Sequence, residues 1–174
     1  MDTRDLRKLF SLLTTGVTVV TAIKPGPEPV GVTANSVTSV SLEPPLLLWC
    51  LANKSSSLQA FSLESPFVVH VLAAHQSDIA LHFSKAGSSK FDVDMGWRSR
   101  PTPPEIVGAL ARIECRVSHL YPGGDHTIIV GAIEKFSAQS AQPLAFHRSR
   151  FGRFIDDQFP DEVNPWPVPR GTAV

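Results

Sequence analysis

Seven short runs of β-branched and apolar residues, punctuated by turn residues, constrain the fold of this chain more than any other feature. They are Val17 to Ile23, Val30 to Ser36, Leu46 to Leu51, Phe67 to Leu72, Leu110 to His119, Thr127 to Phe136 and Leu144 to His147. Each has the length and composition of a strand. Pro-Gly-Pro-Glu-Pro at 25 to 29 makes a hairpin of the first two, and Gly123-Gly124-Asp125 joins the fifth and sixth. Leu46 to Leu51 is almost unbroken in its apolarity and is expected to be buried on both faces. The remaining segments hold at most short helices. Asp2 or Thr3 caps one in which Leu6, Leu9, Phe10 and Leu13 recur at helical spacing, Ser55 to Ser57 cap another through Phe61, and His75 to Phe83 has helical spacing. From Ser84 to Glu105 the chain reads as a long loop region. Strands linked by turns, with helices outside them, predict a mainly β fold, a Greek-key antiparallel barrel.

At 174 residues and 43% hydrophobic, the chain supports one domain with a core. We take residues 1–155 as that domain and 156–174 as a proline-rich tail without periodicity. Sixteen basic residues against sixteen acidic ones provide no net field to draw in nucleic acid or an anionic membrane, and neither is expected as a partner. A basic, aromatic strand face of the oligonucleotide-binding kind is also missing. Cys50 and Cys115 sit in apolar runs with no Cys-x-x-Cys pattern, so they read as reduced core residues. The histidines show no metal-ligand spacing, and no metal is expected. No apolar run is long enough to span a bilayer, and the charged amino terminus lacks a signal-type apolar region, which predicts a cytoplasmic protein.

Within that frame, one stretch is unusually rich in small polar side chains. It is Gly-Val-Thr-Ala-Asn-Ser-Val-Thr-Ser-Val-Ser-Leu-Glu-Pro-Pro at 31 to 45, where a strand runs out into a loop. Small side chains let a flat ring approach the backbone, and N–H groups at a strand end suit ring carbonyls and nitrogens. The plain alternative is an edge strand facing water. Asn53-Lys54-Ser55-Ser56-Ser57 follows a strand and precedes a helical segment, where hydroxyls, a cation and free N–H groups suit a phosphate, unless the serines merely cap. His126 opens a strand after Gly123-Gly124-Asp125, aimed either into a pocket or at solvent. No Gly-x-Ser-x-Gly elbow, Walker loop or Rossmann glycine fingerprint occurs.

Taken in order, these pieces resemble the flavin reductase family of FMN-binding split barrels, the reductase components of two-component flavin-dependent monooxygenases. The resemblance runs from about Leu6 to Phe154. It also rests on Thr-Gly-Val-Thr-Val-Val-Thr at 15 to 21, His-Phe-Ser at 82 to 84, Lys-Phe at 90 to 91, Ala-Arg-Ile-Glu-Cys at 111 to 115 and Gly-Asp-His-Thr-Ile-Ile-Val-Gly at 124 to 131. It implies a homodimer that reduces FMN or FAD with NADH or NADPH and passes the reduced flavin by diffusion to a monooxygenase. A flavin carrier of the same fold without dinucleotide turnover is the alternative. A third reading is a barrel that binds another planar ligand without turnover. Carried over by position, the ring would lie against Thr33, Ala34, Asn35, Ser36 and Val37, with Cys50, Leu51 and Ala52 on the adjoining strand. Ser41, Lys54, Ser55, Ser56 and Ser57 would hold the ribityl chain and phosphate, and Phe83, Ser84, Lys90 and Phe91 would close the site. His126 would face the nicotinamide. His82 and His70 depart from the family pattern, and Ser57 replaces a more usual Thr.

Overall fold

The computed structural model describes residues 2–87, 89–91, 96–98 and 103–155, so the proline-rich tail expected at 156–174 lies outside the described residues. The chain opens with helix α1, Thr3–Phe10, whose N-cap Asp2 accepts a hydrogen bond from the Arg4 N–H at 2.8 Å. The helix buries none of its residues, and Leu9 and Phe10 stay exposed.

The strands follow as β1 (Thr15–Gly16), β2 (Thr18–Lys24), β3 (Glu28–Ala34), β4 (Thr38–Leu42), β5 (Pro45–Ala52) and β6 (Pro66–Val71). After helix α2 (Ser77–Ser84) come β7 (Trp97–Arg98), β8 (Glu105–Ile106), β9 (Ala111–Gly123), β10 (His126–Ala138), β11 (Leu144–His147) and β12 (Arg150–Arg153). Seven of these form one antiparallel sheet in the order β3-β2-β6-β9-β10-β5-β4. The 13-residue strands β9 and β10 carry two register shifts in their pairing, which bend them and let the sheet curl. Curling brings the end of β3 back beside β5. There the Ser36 hydroxyl accepts from the Cys50 N–H at 3.0 Å and donates to the Cys50 carbonyl at 3.4 Å. A mainly β split barrel results, as its sequence predicts.

Two cores lie on opposite faces of β2. Inside the barrel, Val20, Ala22, Trp49, Phe67, Val69, Val117 and Ile129 pack together, with Trp49 and Phe61 edge to face at 4.9 Å. Outside it, Val17, Val19, Leu72, Ala80, Phe83, Phe91, Ile106 and Leu144 form a second cluster. Each polar side chain that β2 buries donates to a carbonyl: Thr18 to Ala34 and Thr21 to Pro104, both at 2.7 Å.

Two sequence expectations are corrected. The strand buried on both faces is β2, while β5 alternates: Leu47, Trp49 and Leu51 are buried and Leu46, Leu48 and Cys50 half-buried. The second cluster covers β2 and leaves the outer face of β5 bare. Nor do Ser55 to Ser57 cap an α-helix. A single 3₁₀ turn, Leu58–Ala60, follows them, and the Ser57 side chain makes no capping bond.

Candidate functional site

Gly31, Thr33 and Asn35 alternate along the outer face of β3, toward α2. A Cβ on Gly31 would lie 2.5 Å from the Phe83 ring, so only glycine lets α2 dock that closely. The Thr33 hydroxyl is spent on the Ala80 carbonyl of α2 at 2.7 Å, and Ala34 is buried. Asn35 is exposed at the strand end. Thr33, Asn35 and Ser84 border a pocket of about 390 Å³, closed on its far side by Phe146, Ser149 and Phe151. That size falls within the range of small-molecule sites. Phe83 and Phe91 are buried and pack against each other, ring centroids 5.2 Å apart. They therefore support the site from beneath rather than close it.

A second group gathers where β5 and β10 end. His126 pairs with Ala52, and its Nδ1 lies 2.7 Å from the Asp125 carboxylate. That hydrogen bond, reinforced by the charge of the ring, holds the Asp125 carboxyl below the usual range. Asn53 fixes the hairpin that carries this pair. Its N–H donates to the Asp125 carbonyl at 2.9 Å, its Nδ2 to the Gly124 carbonyl at 3.1 Å, and its Oδ1 accepts from the Thr127 hydroxyl at 2.8 Å. Ser36, bonded to Cys50, links this group to the end of β3. Val37 packs partly buried against the barrel core, and the Leu51 side chain points into that core.

Ser56, Ser57 and Lys90 meet in a third place, a narrow cleft that Gly31, Lys24 and Glu28 also border. The Lys90 ammonium donates to the carbonyls of Gly31 and Phe83, both at 2.8 Å, and burial lowers its pKa. It has no carboxylate partner among the described residues, nor a third acceptor there for its three N–H donors. The Ser55 hydroxyl accepts from the Ser57 N–H at 3.3 Å, and Lys54 is exposed. The cleft admits about one water and is too small to enclose an anion of phosphate size. Ser41 is set apart on β4, where it accepts the Glu43 N–H at 3.2 Å.

The model of the flavin reductase like domain matches residues 10–154. The chain belongs to that family. It is 44% identical over 154 residues to the FMN reductase (NADH) SmoA of Agrobacterium fabrum, covering 88% of this chain and 87% of that protein. It is 37% identical over 155 residues to HsaB of Mycobacterium tuberculosis, the reductase subunit of a flavin-dependent monooxygenase, with 87% and 82% covered. Among solved structures, the Streptomyces globisporus NADH:FAD oxidoreductase SgcE6, in complex with NAD and FAD fragments, is 41% identical. It superposes with a TM-score of 0.81 over 90% of this chain and 94% of that one.

This family member also uses residues that its sequence alone left without a role. In sequence Asn53 is one member of a polar run, but its side chain ties β5 to the β9–β10 hairpin. Lys24 and Glu28, ion-paired at 2.7 Å, form the outer edge of the Lys90 cleft, although the sequence marks only a turn there. His82 holds the Lys90 segment through its Nε2 and the Lys90 carbonyl at 2.6 Å. His70 is fully buried, its Nδ1 bonded to the Val19 carbonyl at 3.1 Å.

Proposed function

We propose that this protein, as a homodimer in the cytoplasm, reduces FMN or FAD with NADH or NADPH and releases the reduced flavin to a flavin-dependent monooxygenase. The observation that carries this reading is convergence. Thr33, Asn35 and Ser84 border one pocket, Ser56, Ser57 and Lys90 border a cleft with Gly31 of the same strand, and Ser36 ties the end of that strand to Cys50 on β5, whose Ala52 pairs with His126. A bound flavin supplies a ring that accepts a hydride from a nicotinamide. The protein's part is to hold the two rings in contact and exclude water.

Each residue has a definable task. Asn35 and Ser36 offer N–H groups at the strand end for the ring edge. Ser56 and Lys90 offer a hydroxyl and an ammonium for the phosphate. His126, held by Asp125, orients the nicotinamide without acting as acid or base. The relatives' names favour NADH as donor and include both FMN and FAD. HsaB, a reductase subunit, supports the monooxygenase as recipient. The exposed apolar residues Leu9, Phe10 and Leu13 at α1 offer a second copy a surface to bury. Cys50 and Cys115 are free thiols, which suits the reducing cytoplasm.

The test is anaerobic. A small amount of protein is mixed with a large excess of FMN or FAD and NADH, and the absorbance of oxidised flavin is followed. Bleaching of many equivalents supports the reductase. Tight binding without bleaching would instead identify a carrier, and no binding would remove flavin from the account.

A further inference from the structure

The hairpin β11–β12 places three arginines, Arg148, Arg150 and Arg153, within six residues, and no carboxylate of the described residues pairs with any of them. They border a cleft of about 620 Å³, with Thr14 and His147 on its rim and Ala145 in its lining. A Cβ on Gly152 would meet nothing within 4 Å, so open space lies above the strand there. Arg148 and Ser149 form a two-residue turn with φ of 48° and 62°. Turns of that hand ordinarily take Asn-Gly or Gly-Gly, because other side chains are strained there. Here the strained turn is held, its Arg148 N–H donating to the Ser11 carbonyl at 2.7 Å. His147 is held as well, its Nδ1 lying 3.2 Å from the Thr14 hydroxyl.

Guanidinium groups gathered with no counter-ion among the described residues suit a ligand with more than one negative charge, and their planar forks match phosphate oxygens. Where the cleft lies narrows the choice. Phe151 borders both the cleft and the pocket of Thr33, Asn35 and Ser84, and Ser149 borders that pocket where its neighbour Arg148 borders the cleft. A molecule that places a ring in the pocket and passes over the turn sets its next anionic groups among the arginines. We propose that this cleft is a subsite for an ADP moiety, the pyrophosphate and adenosine end that NADH and FAD share. The ring in the pocket rests on the flavin reductase reading, but the ADP contact is testable without it.

The first measurement is calorimetric titration of the flavin-free protein with ADP-ribose, comparing wild type with R150Q/R153Q. We expect wild type to bind and the double variant to bind at least tenfold more weakly at unchanged melting temperature, since charge-assisted hydrogen bonds are lost. Raised salt should weaken the wild type in the same direction. No binding by wild type, or equal binding by both, overturns the proposal. Two further comparisons identify the source. A loss of FAD affinity with FMN affinity kept assigns the subsite to FAD. A raised KM for NADH with an unchanged KM for reduced nicotinamide mononucleotide assigns it to NADH. Equal weakening of FMN and riboflavin overturns the proposal, because the hairpin then supports the ring pocket. Failure of the reductase reading shows separately, as absence of flavin bleaching in wild type.

Discussion

His70 and His126 lie on the same barrel and are put to opposite uses. His70 lies on the outer face of β6, opposite Phe67 and Val69 of the barrel core, and is fully buried, with burial driving its pKa down to about 4 and one ring nitrogen bonded to a carbonyl. His126 opens β10 at the rim, half-buried, beside a carboxylate. The threonines and serines divide the same way. Thr18 and Thr21 spend their hydroxyls on carbonyls inside, while Ser56 stands exposed at the mouth of a cleft. What separates the regions is a second layer. Where α2 lies on the sheet, as over Thr33, a hydroxyl is consumed by the fold, and where that cover ends, as at Ser56, it is left for a ligand.

The first way to break that comparison is to remove the cover. Phe83→Ala empties a fully buried site in the outer cluster and should cost about 3–5 kcal/mol. A shift in the urea midpoint measures it, and a loss under about 1 kcal/mol would show that the layer is not a packed core. His70 gives the next effect. Its folded pKa lies below its unfolded value of 6.5, so the unfolded chain takes up a proton first as pH falls. Stability is therefore full above 6.5, declines between 6.5 and about 4, and levels off below, with a span on the order of 3 kcal/mol. Denaturant titrations across that range should show the slope in wild type and a smaller one in His70→Gln. Gly31→Ala forces a methyl against the Phe83 ring and should cost about 1–3 kcal/mol, read from the same midpoint.

At the rim the expected effects fall on ligands instead. Lys90→Met should weaken FMN binding about tenfold while riboflavin, which lacks the phosphate, binds as before; the loss corresponds to one charge-assisted hydrogen bond. Equal loss for both would make Lys90 a tie between Gly31 and Phe83 and nothing more. His126→Ala should have the smallest effect on the fold, within about 0.5 kcal/mol, as for a surface side chain away from the core. It should raise the KM for NADH with flavin affinity kept, and unchanged NADH kinetics would remove His126 from the mechanism.

The barrel was legible because its signals are local. β-branching and turn residues mark strands whatever they later pair with, and all seven runs became strands. Burial was not legible in the same way. Leu46 to Leu51 is the more apolar run, but β2 is the one sandwiched, because Leu72, Ala80, Phe83, Phe91, Ile106 and Leu144 cover it. The site was legible as a set of residue types and not as a set of contacts. Thr33 reads as a ligand donor until Ala80, 47 residues on, takes its hydroxyl. Asn53 reads as filler until Thr127, 74 residues on, completes its hydrogen bonds. Lys90, by contrast, keeps a donor with no acceptor among the described residues, and only the folded chain shows Lys24 and Glu28 beside it.

The central claim is that the uncovered rim binds flavin while the covered strands serve only the fold. Hydrogen–deuterium exchange with and without FMN tests it directly. The account predicts slowed exchange on binding in segments 33–37 and 50–57 and at residues 125–127, with β2 and β6 unchanged. Protection confined to the interior strands, or none at saturating FMN, would contradict it.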